Sequence, residues 1–116
     1  MEKVELTGKL KIIDQSAEAK GGADIQVLDI RQMTSIADYF VIVSGNSTPQ
    51  LNAIAEEIED NMAEAGYETY HHEGNGMSRW IVLDYGDIIV HIFHREMREF
   101  YNLERLWTQD FKEETE

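Results

Sequence analysis

The sequence contains no cysteine and only one proline in 116 residues, and its basic side chains are few. Without cysteine, the chain has no disulfide, no thiolate zinc site and no cysteine nucleophile. Lysine and arginine number 10 against 23 acidic side chains, which gives a formal net charge of −13. An acidic surface repels phosphates. The charge therefore argues against direct non-specific binding to nucleic acid or anionic membranes, and it favours a basic partner or a cation.

Long apolar runs are also missing. A signal peptide needs a basic start and a continuous apolar core, and charged residues interrupt the first 14 positions of this chain. No window approaches the ~18 apolar residues of a membrane span. We therefore expect a soluble, cytoplasmic protein, and its length suits one domain with a single core.

The spacing of apolar residues in the first third predicts one helix followed by two strands. Apolar residues from Leu6 to Ala17 recur three or four positions apart, as on one face of a helix, and Gly21–Gly22 would end it. Residues 25–30 and 39–43 are rich in β-branched side chains and predict strands, the second of them central.

The clearest element is a helix that begins near residue 48. Ser47 or Thr48 can cap it, Pro49 suits its first turn, and Gly66 would end it. Its buried stripe is predicted to consist of Leu51, Ile54, Ala55, Ile58, Met62 and Ala65.

The second half of the chain predicts three strands and a helix. Residues 67–72 predict a strand, 73–76 a flexible turn, and 80–84 and 88–93 two strands joined by the short loop 85–87. The last helix would carry Met97, Phe100, Leu103, Leu106 and Trp107. The order α-β-β-α-β-β-β-α predicts a small α/β domain, with a mixed sheet and packed helices.

Histidines and acids raise the question of a metal site or another reactive site. The candidate ligands are His71, His72, His91, His94, Asp84 and Asp87. Residues one or three apart on a strand point to opposite faces, so this spacing favours separate structural histidines over a convergent zinc site. Residues 45–47, between a strand and a helix, could hold a phosphate, but the dinucleotide glycines and the Walker lysine are absent, so a simple cap is favoured.

Charge is distributed unevenly along the chain. Residues 32–78 contain no lysine or arginine and eight acids, which fits either a solvated helix surface or a protein-docking surface. Arginines and aromatic residues, the types enriched at interface centres, gather in the last third. They are Arg79, Arg95, Arg98 and Arg105, with Trp80, Tyr85, Phe100, Tyr101 and Trp107. Of these, Trp80 and Tyr85 fit a core and a contact surface equally well.

Three blocks of sequence resemble the Iojap family, the ribosomal silencing factors. They are residues 38–47, 80–93 and 98–107, and they stand in the family's order. The most specific part is D-Y-G-D-x-x-V-H-x-F followed by R-x-F-Y-x-L-E-x-L-W. The resemblance covers the chain from about Ile25 to Trp107.

The resemblance implies a fold related to nucleotidyltransferases but without their active site. In agreement, the chain lacks the Gly-Ser pair followed by Asp-x-Asp that this chemistry needs. It implies a domain over residues 1–107 with an acidic tail at 108–116, and no catalysis or cofactor. Family members bind the fourteenth protein of the large ribosomal subunit, a basic protein. They thereby block joining of the small subunit and repress translation when nutrients are short.

The resemblance also implies where docking would occur, namely on a sheet face and the last helix. Trp80 and Tyr85 would be aromatic anchors, and Asp84, Asp87 and Glu104 would meet basic side chains. The secondary contacts would be His91, Tyr101 and Leu103. Many relatives form homodimers, so we expect one here. The alternative is a degenerate nucleotidyltransferase-like enzyme or metal-dependent hydrolase that uses Asp84, Asp87 and His91.

Overall fold

Three α-helices and five strands make up the part of the chain that the computed structural model describes, residues 8–101, with side chains through residue 98. In chain order they are α1 (Gly8–Ala19), β1 (Ala23–Asp29), β2 (Tyr39–Gly45), α2 (Thr48–Glu64), β3 (His71–Glu73), β4 (Trp80–Asp84), β5 (Ile88–His94) and α3 (Arg95–Tyr101). A single 3₁₀ turn, Gly76–Ser78, precedes β4. This order confirms the predicted succession of elements. No helix within residues 8–101 is long and apolar enough to cross a membrane.

The five strands form one mixed sheet in the order β1-β2-β5-β4-β3. Strands β2 and β5 are parallel, and every other neighbouring pair is antiparallel. His91, on the central strand β5, stands opposite Ile42 of β2 on one side and Val82 of β4 on the other. Residues that alternate along β2, β4 and β5 therefore build two different faces at the middle of the sheet.

Helices α1 and α2 cover one face of the sheet. The strands contribute Val41, Val43, Ile81, Leu83, Val90 and Ile92, all fully buried. The helices contribute Ile13, Leu51, Ile54, Ile58 and Met62, whose spacing of three and four positions places them on one side of each helix. This apolar layer is the main core, and it contains the stripe predicted for α2 except Ala65, which is exposed.

The opposite face of the sheet carries the ring side chains. We call it the aromatic face and define it by Phe40, Trp80, His91 and Phe93. The short helix α3 packs against β5 and β2, and its Met97 joins the apolar cluster on this face. A smaller second core therefore lies on the side of the sheet away from α1 and α2.

Helix α2 begins as the sequence predicts. Ser47 is its N-cap, and its Oγ accepts a hydrogen bond from the Gln50 amide at 3.2 Å. Pro49 occupies the first turn, where its missing N–H leaves no helical bond unmade. Gly66 follows the helix with φ +94°, a conformation that favours glycine.

The strand predicted over residues 67–72 is wrong in its bounds, because β3 is only His71–Glu73. The amide of Tyr67 donates to the carbonyl of Met62, so this part of the chain still completes the end of α2. Pairing with β4 therefore begins later than the apolar pattern suggests.

The turn predicted as flexible over residues 73–76 is instead fixed by hydrogen bonds. The Asn75 side chain caps the 3₁₀ turn. The Gly76 amide donates to Asn52 at 2.8 Å, and its carbonyl accepts from Thr48 at 3.3 Å. A Cβ at Gly76 would come within 2.3 Å of the Thr48 carbonyl oxygen, so the close approach to α2 requires glycine.

Candidate functional site

The aromatic face forms because three neighbouring strands each place rings on the same side. Trp80 of β4 stands opposite Phe93 of β5, and the two rings stack with their centroids 4.9 Å apart. Phe40 of β2 meets the His91 ring edge to face at 4.8 Å. Such cross-strand ring pairs hold one another in place and give this face a defined shape.

His91 is the most unusual side chain on this face. It is only 8 % exposed, and its Nδ1 accepts a hydrogen bond from the Trp80 Nε1–H at 3.2 Å. Burial lowers its pKa from 6.5 to about 4, so the imidazole is neutral at pH 7. Since Nδ1 accepts, the proton resides on Nε2, and this buried N–H has no hydrogen-bond partner among the described residues.

The two predicted aromatic anchors occupy different environments. Trp80 is half-buried on the aromatic face, where it shares that side of β4 with the half-buried Val82. Tyr85 is 4 % exposed, belongs to the main core, and its hydroxyl accepts from Thr69 at 2.9 Å. The pKa of the Tyr85 phenol is raised, mainly because the side chain is buried. Tyr85 could therefore meet a partner only after the core opened, whereas Trp80 is partly accessible as it stands.

Two of the three predicted acidic contacts, Asp84 and Asp87, are engaged within the chain. Asp84 is half-buried, and its Oδ1 accepts from the Gly86 amide at 2.7 Å, which shapes the turn between β4 and β5. Asp87 forms an ion pair with Lys9 of α1 at 2.8 Å. Asp84 lies at the end of β4 away from Trp80, and Asp87 ties the same turn to α1, so neither lies beside the Trp80 ring.

The remaining predicted docking residues are only partly covered by the structure. Tyr101 ends α3, and its side chain lies outside the described residues, as do Leu103 and Glu104. The rest of the predicted last helix, including Leu106 and Trp107, also lies outside them, as does the predicted tail at 108–116. The roles expected of these residues therefore stay predictions.

The candidate ligands for a metal do not converge. His72 Nδ1 lies 3.0 Å from Glu59 Oε2, while His91 is bonded to Trp80 on the aromatic face. Within residues 8–101, no group of three histidine, aspartate or glutamate side chains is arranged to hold a metal ion. The structure does not bring Asp84, Asp87 and His91 together as the predicted enzyme alternative would require.

Arg98 differs from the interface arginine that the sequence suggests. It is 8 % exposed, and its Nη1 donates to Ser44 Oγ at 2.8 Å and to the carbonyl of Asp24. These bonds fasten α3 to β1 and β2. The sequence offers one indication that a buried partner for Arg98 exists, namely Ser44, a polar residue near the end of an otherwise apolar strand.

The acidic surface and the aromatic face lie on opposite sides of the sheet. The exposed side of α2 carries Glu56 and Asp60, and α2 covers the face that the rings do not occupy. At the Trp80 end of β4, Arg79 lies 3.5 Å from Glu96 of α3, so both signs of charge occur there. The excess negative charge of α2 therefore does not adjoin the rings.

Comparison with known proteins gives one consistent result. Residues 3–116 match the family model described as "Ribosomal silencing factor during starvation". The chain is 44 % identical over 98 residues to "Ribosomal silencing factor RsfS" of Bacillus subtilis. The aligned segment covers 84 % of this chain and 83 % of that protein.

A more distant relative and a solved structure agree. A mouse protein named "Mitochondrial assembly of ribosomal large subunit protein 1" is 33 % identical over 96 residues, 73 % of this chain and 39 % of its own. A crystal structure of a Chromobacterium violaceum protein has a TM-score of 0.84 and 30 % identity, and the match covers 90 % of this chain and 87 % of that one.

Proposed function

The chain belongs to the ribosomal silencing factor family, and on that premise we propose that it binds the large ribosomal subunit and blocks joining of the small one. The observation that carries this proposal is the family match over nearly the whole chain. The partner would be a basic protein of the large subunit, the fourteenth. Binding would repress translation when nutrients are short, and the protein would act without catalysis.

The aromatic face is the surface we assign to docking. Trp80, Val82 and Ile89 are half-buried there, so each keeps apolar surface that a partner can cover. Tryptophan is enriched among the few residues that dominate binding energy, mainly because its large ring loses much water-exposed area on contact. Helix α3 borders the same surface, in accord with a site made of a sheet face and the last helix.

Charge supports a protein contact over direct contact with ribosomal RNA. The net charge of −13 attracts a basic protein and repels exposed phosphates. Because the acidic side of α2 faces away from the rings, it would point outward from a partner docked on the aromatic face. There it would disfavour adhesion to RNA elsewhere on the subunit.

Binding is tested by co-sedimentation with purified large subunits over a range of salt concentrations. We expect the wild-type chain to sediment with the subunit and Trp80→Ala to bind at least about fivefold more weakly, a loss of about 1 kcal/mol that only a minority of interface residues reach on truncation. Tyr70→Ala is the matched control, because Tyr70 is 68 % exposed and lies at the far end of β4 from Trp80. Circular dichroism checks that each variant is folded.

The outcomes separate the parts of this proposal. If the wild-type chain does not sediment with the subunit at physiological salt, ribosome binding is wrong. If Trp80→Ala binds like wild type, the docking surface lies elsewhere. Blocking is measured by light scattering when small subunits are added to large subunits with bound chain, and undiminished joining would refute the steric mechanism.

We further propose that the protein is a cytoplasmic homodimer with its functional domain at residues 1–107 and an acidic tail at 108–116. Self-association follows from the family resemblance. Sedimentation equilibrium gives the mass of the assembly, and a monomer at micromolar concentration would refute the dimer. A chain truncated after residue 107 should keep full binding to large subunits if the tail is dispensable.

A further inference from the structure

We propose that His91 is a positioning residue, whose Nδ1 holds the Trp80 indole in the orientation that meets the partner. This inference rests on the proposed function, because it assigns Trp80 a role in docking. It is carried by the 3.2 Å hydrogen bond from Trp80 Nε1 to His91 Nδ1 and by the burial of the imidazole.

Stacking alone does not fix the direction of the Trp80 ring. The indole lies on Phe93 at 4.9 Å, and this contact sets the plane of the ring. A flip about the second side-chain torsion can leave the ring near Phe93 while it moves the N–H to the other edge. The bond to His91 is directional, so it selects one of these arrangements.

If the side chain at position 91 served only to pack the aromatic face, a histidine would be energetically unfavourable there. It lies in an apolar setting that strongly disfavours its charged form, and its Nε2–H has no acceptor within the described part of the chain. An apolar side chain of similar size would avoid both costs. What the histidine adds is an acceptor for the indole N–H, which would otherwise be left without this bond.

A fixed indole matters because binding is weakened when a side chain must first be ordered. A tryptophan already held in its bound orientation loses less conformational freedom on docking than one that samples several. His91 would therefore strengthen binding through Trp80, without touching the partner.

The test combines binding with a spectroscopic signal from Trp80. In ¹⁵N-labelled protein the Trp80 indole N–H resonance is assigned by its loss in Trp80→Phe. His91→Leu should shift this resonance and weaken co-sedimentation by about three- to tenfold, the size expected for one neutral hydrogen bond. In His91→Asn the side-chain oxygen can replace Nδ1 as acceptor. This variant should therefore restore most of the wild-type resonance position and most of the binding to large subunits. His71→Leu is the matched control, since His71 is exposed on β3.

A double-mutant cycle separates positioning from a merely structural role. Trp80→Phe has no indole N–H, so adding His91→Leu to it should weaken binding no further. An equal loss in both backgrounds, or no loss in the wild-type background, would overturn the inference. If the wild-type chain does not bind large subunits, the proposed function and the docking half of the inference both fail. The indole resonance then still decides whether His91 fixes Trp80.

Discussion

Lowering the pH should destabilise the folded chain through His91. In the folded chain, burial lowers the pKa of His91 from 6.5 to about 4, and among residues 8–101 no charged neighbour contributes to this shift. The unfolded chain takes up a proton below pH 6.5, whereas the folded chain resists it until about pH 4. Stability that is fully present above pH 6.5 is therefore lost as the pH falls through this window.

The size of the effect follows from the shift. The difference between 6.5 and about 4 corresponds to about 3 kcal/mol of unfolding free energy, of which about 2 kcal/mol should be lost by pH 5. This is a large part of the stability of a small domain. Protonation would also place a hydrogen on Nδ1, where it would face the Trp80 N–H, so the same step breaks the bond on the aromatic face.

Urea denaturation of wild type and His91→Asn at several values between pH 7 and pH 5 measures this contribution. Many carboxylates titrate in both chains, so the informative quantity is the difference between their unfolding free energies at each pH. We expect that difference to change by about 2 kcal/mol in favour of the variant as the pH falls. His71→Asn, at an exposed position, should follow wild type. Parallel profiles for wild type and His91→Asn would refute the reasoning.

Four further substitutions test the fold around the site by urea denaturation. Ser47→Ala removes the cap of α2 and should lower the unfolding free energy by about 1 kcal/mol, and an unchanged value would contradict the cap. Arg98→Leu removes the bonds to Ser44 and the Asp24 carbonyl and should cost about 1–3 kcal/mol; a neutral effect would mean that α3 is held without them. Gly76→Ala should cost about 2–3 kcal/mol, because its Cβ would crowd a backbone oxygen of α2. Gly66→Ala, with open space but a positive φ, should cost only about 1 kcal/mol, and equal values for the two variants would refute the steric argument.

Local patterns in the sequence were enough to predict most of the fold. Helix α2 and strand β4 were predicted nearly to their observed bounds, because apolar spacing and capping residues act within a few positions. The start of β3 was not predicted, since the Tyr67 amide bonds back to α2, a contact that tyrosine's strand propensity does not reveal.

The site was less accessible to prediction than the fold. Trp80 and His91 were both named from motif positions, but the hydrogen bond between them depends on the pairing of β4 with β5. The sequence leaves Tyr85 open between a core and a contact surface and groups Arg98 with interface residue types, and both side chains are buried. Each is hydrogen-bonded to a side chain on another part of the fold, Thr69 for Tyr85 and Ser44 for Arg98, and composition carries no information on such pairings.

The parallel pairing of β2 with β5 has a consequence for the newly made chain. Every ring of the aromatic face except Phe40 belongs to β4 or β5, and β5 is the central strand of the sheet. The central strand, together with Trp80 and His91, lies in the last third of the chain, after α1, β1, β2 and α2. Since long-range strand pairing is slow, we expect the aromatic face, the surface that we propose for docking, to be among the last parts of the fold to form. Under the proposed function, a copy still in synthesis would therefore lack the surface with which it is proposed to bind a ribosome.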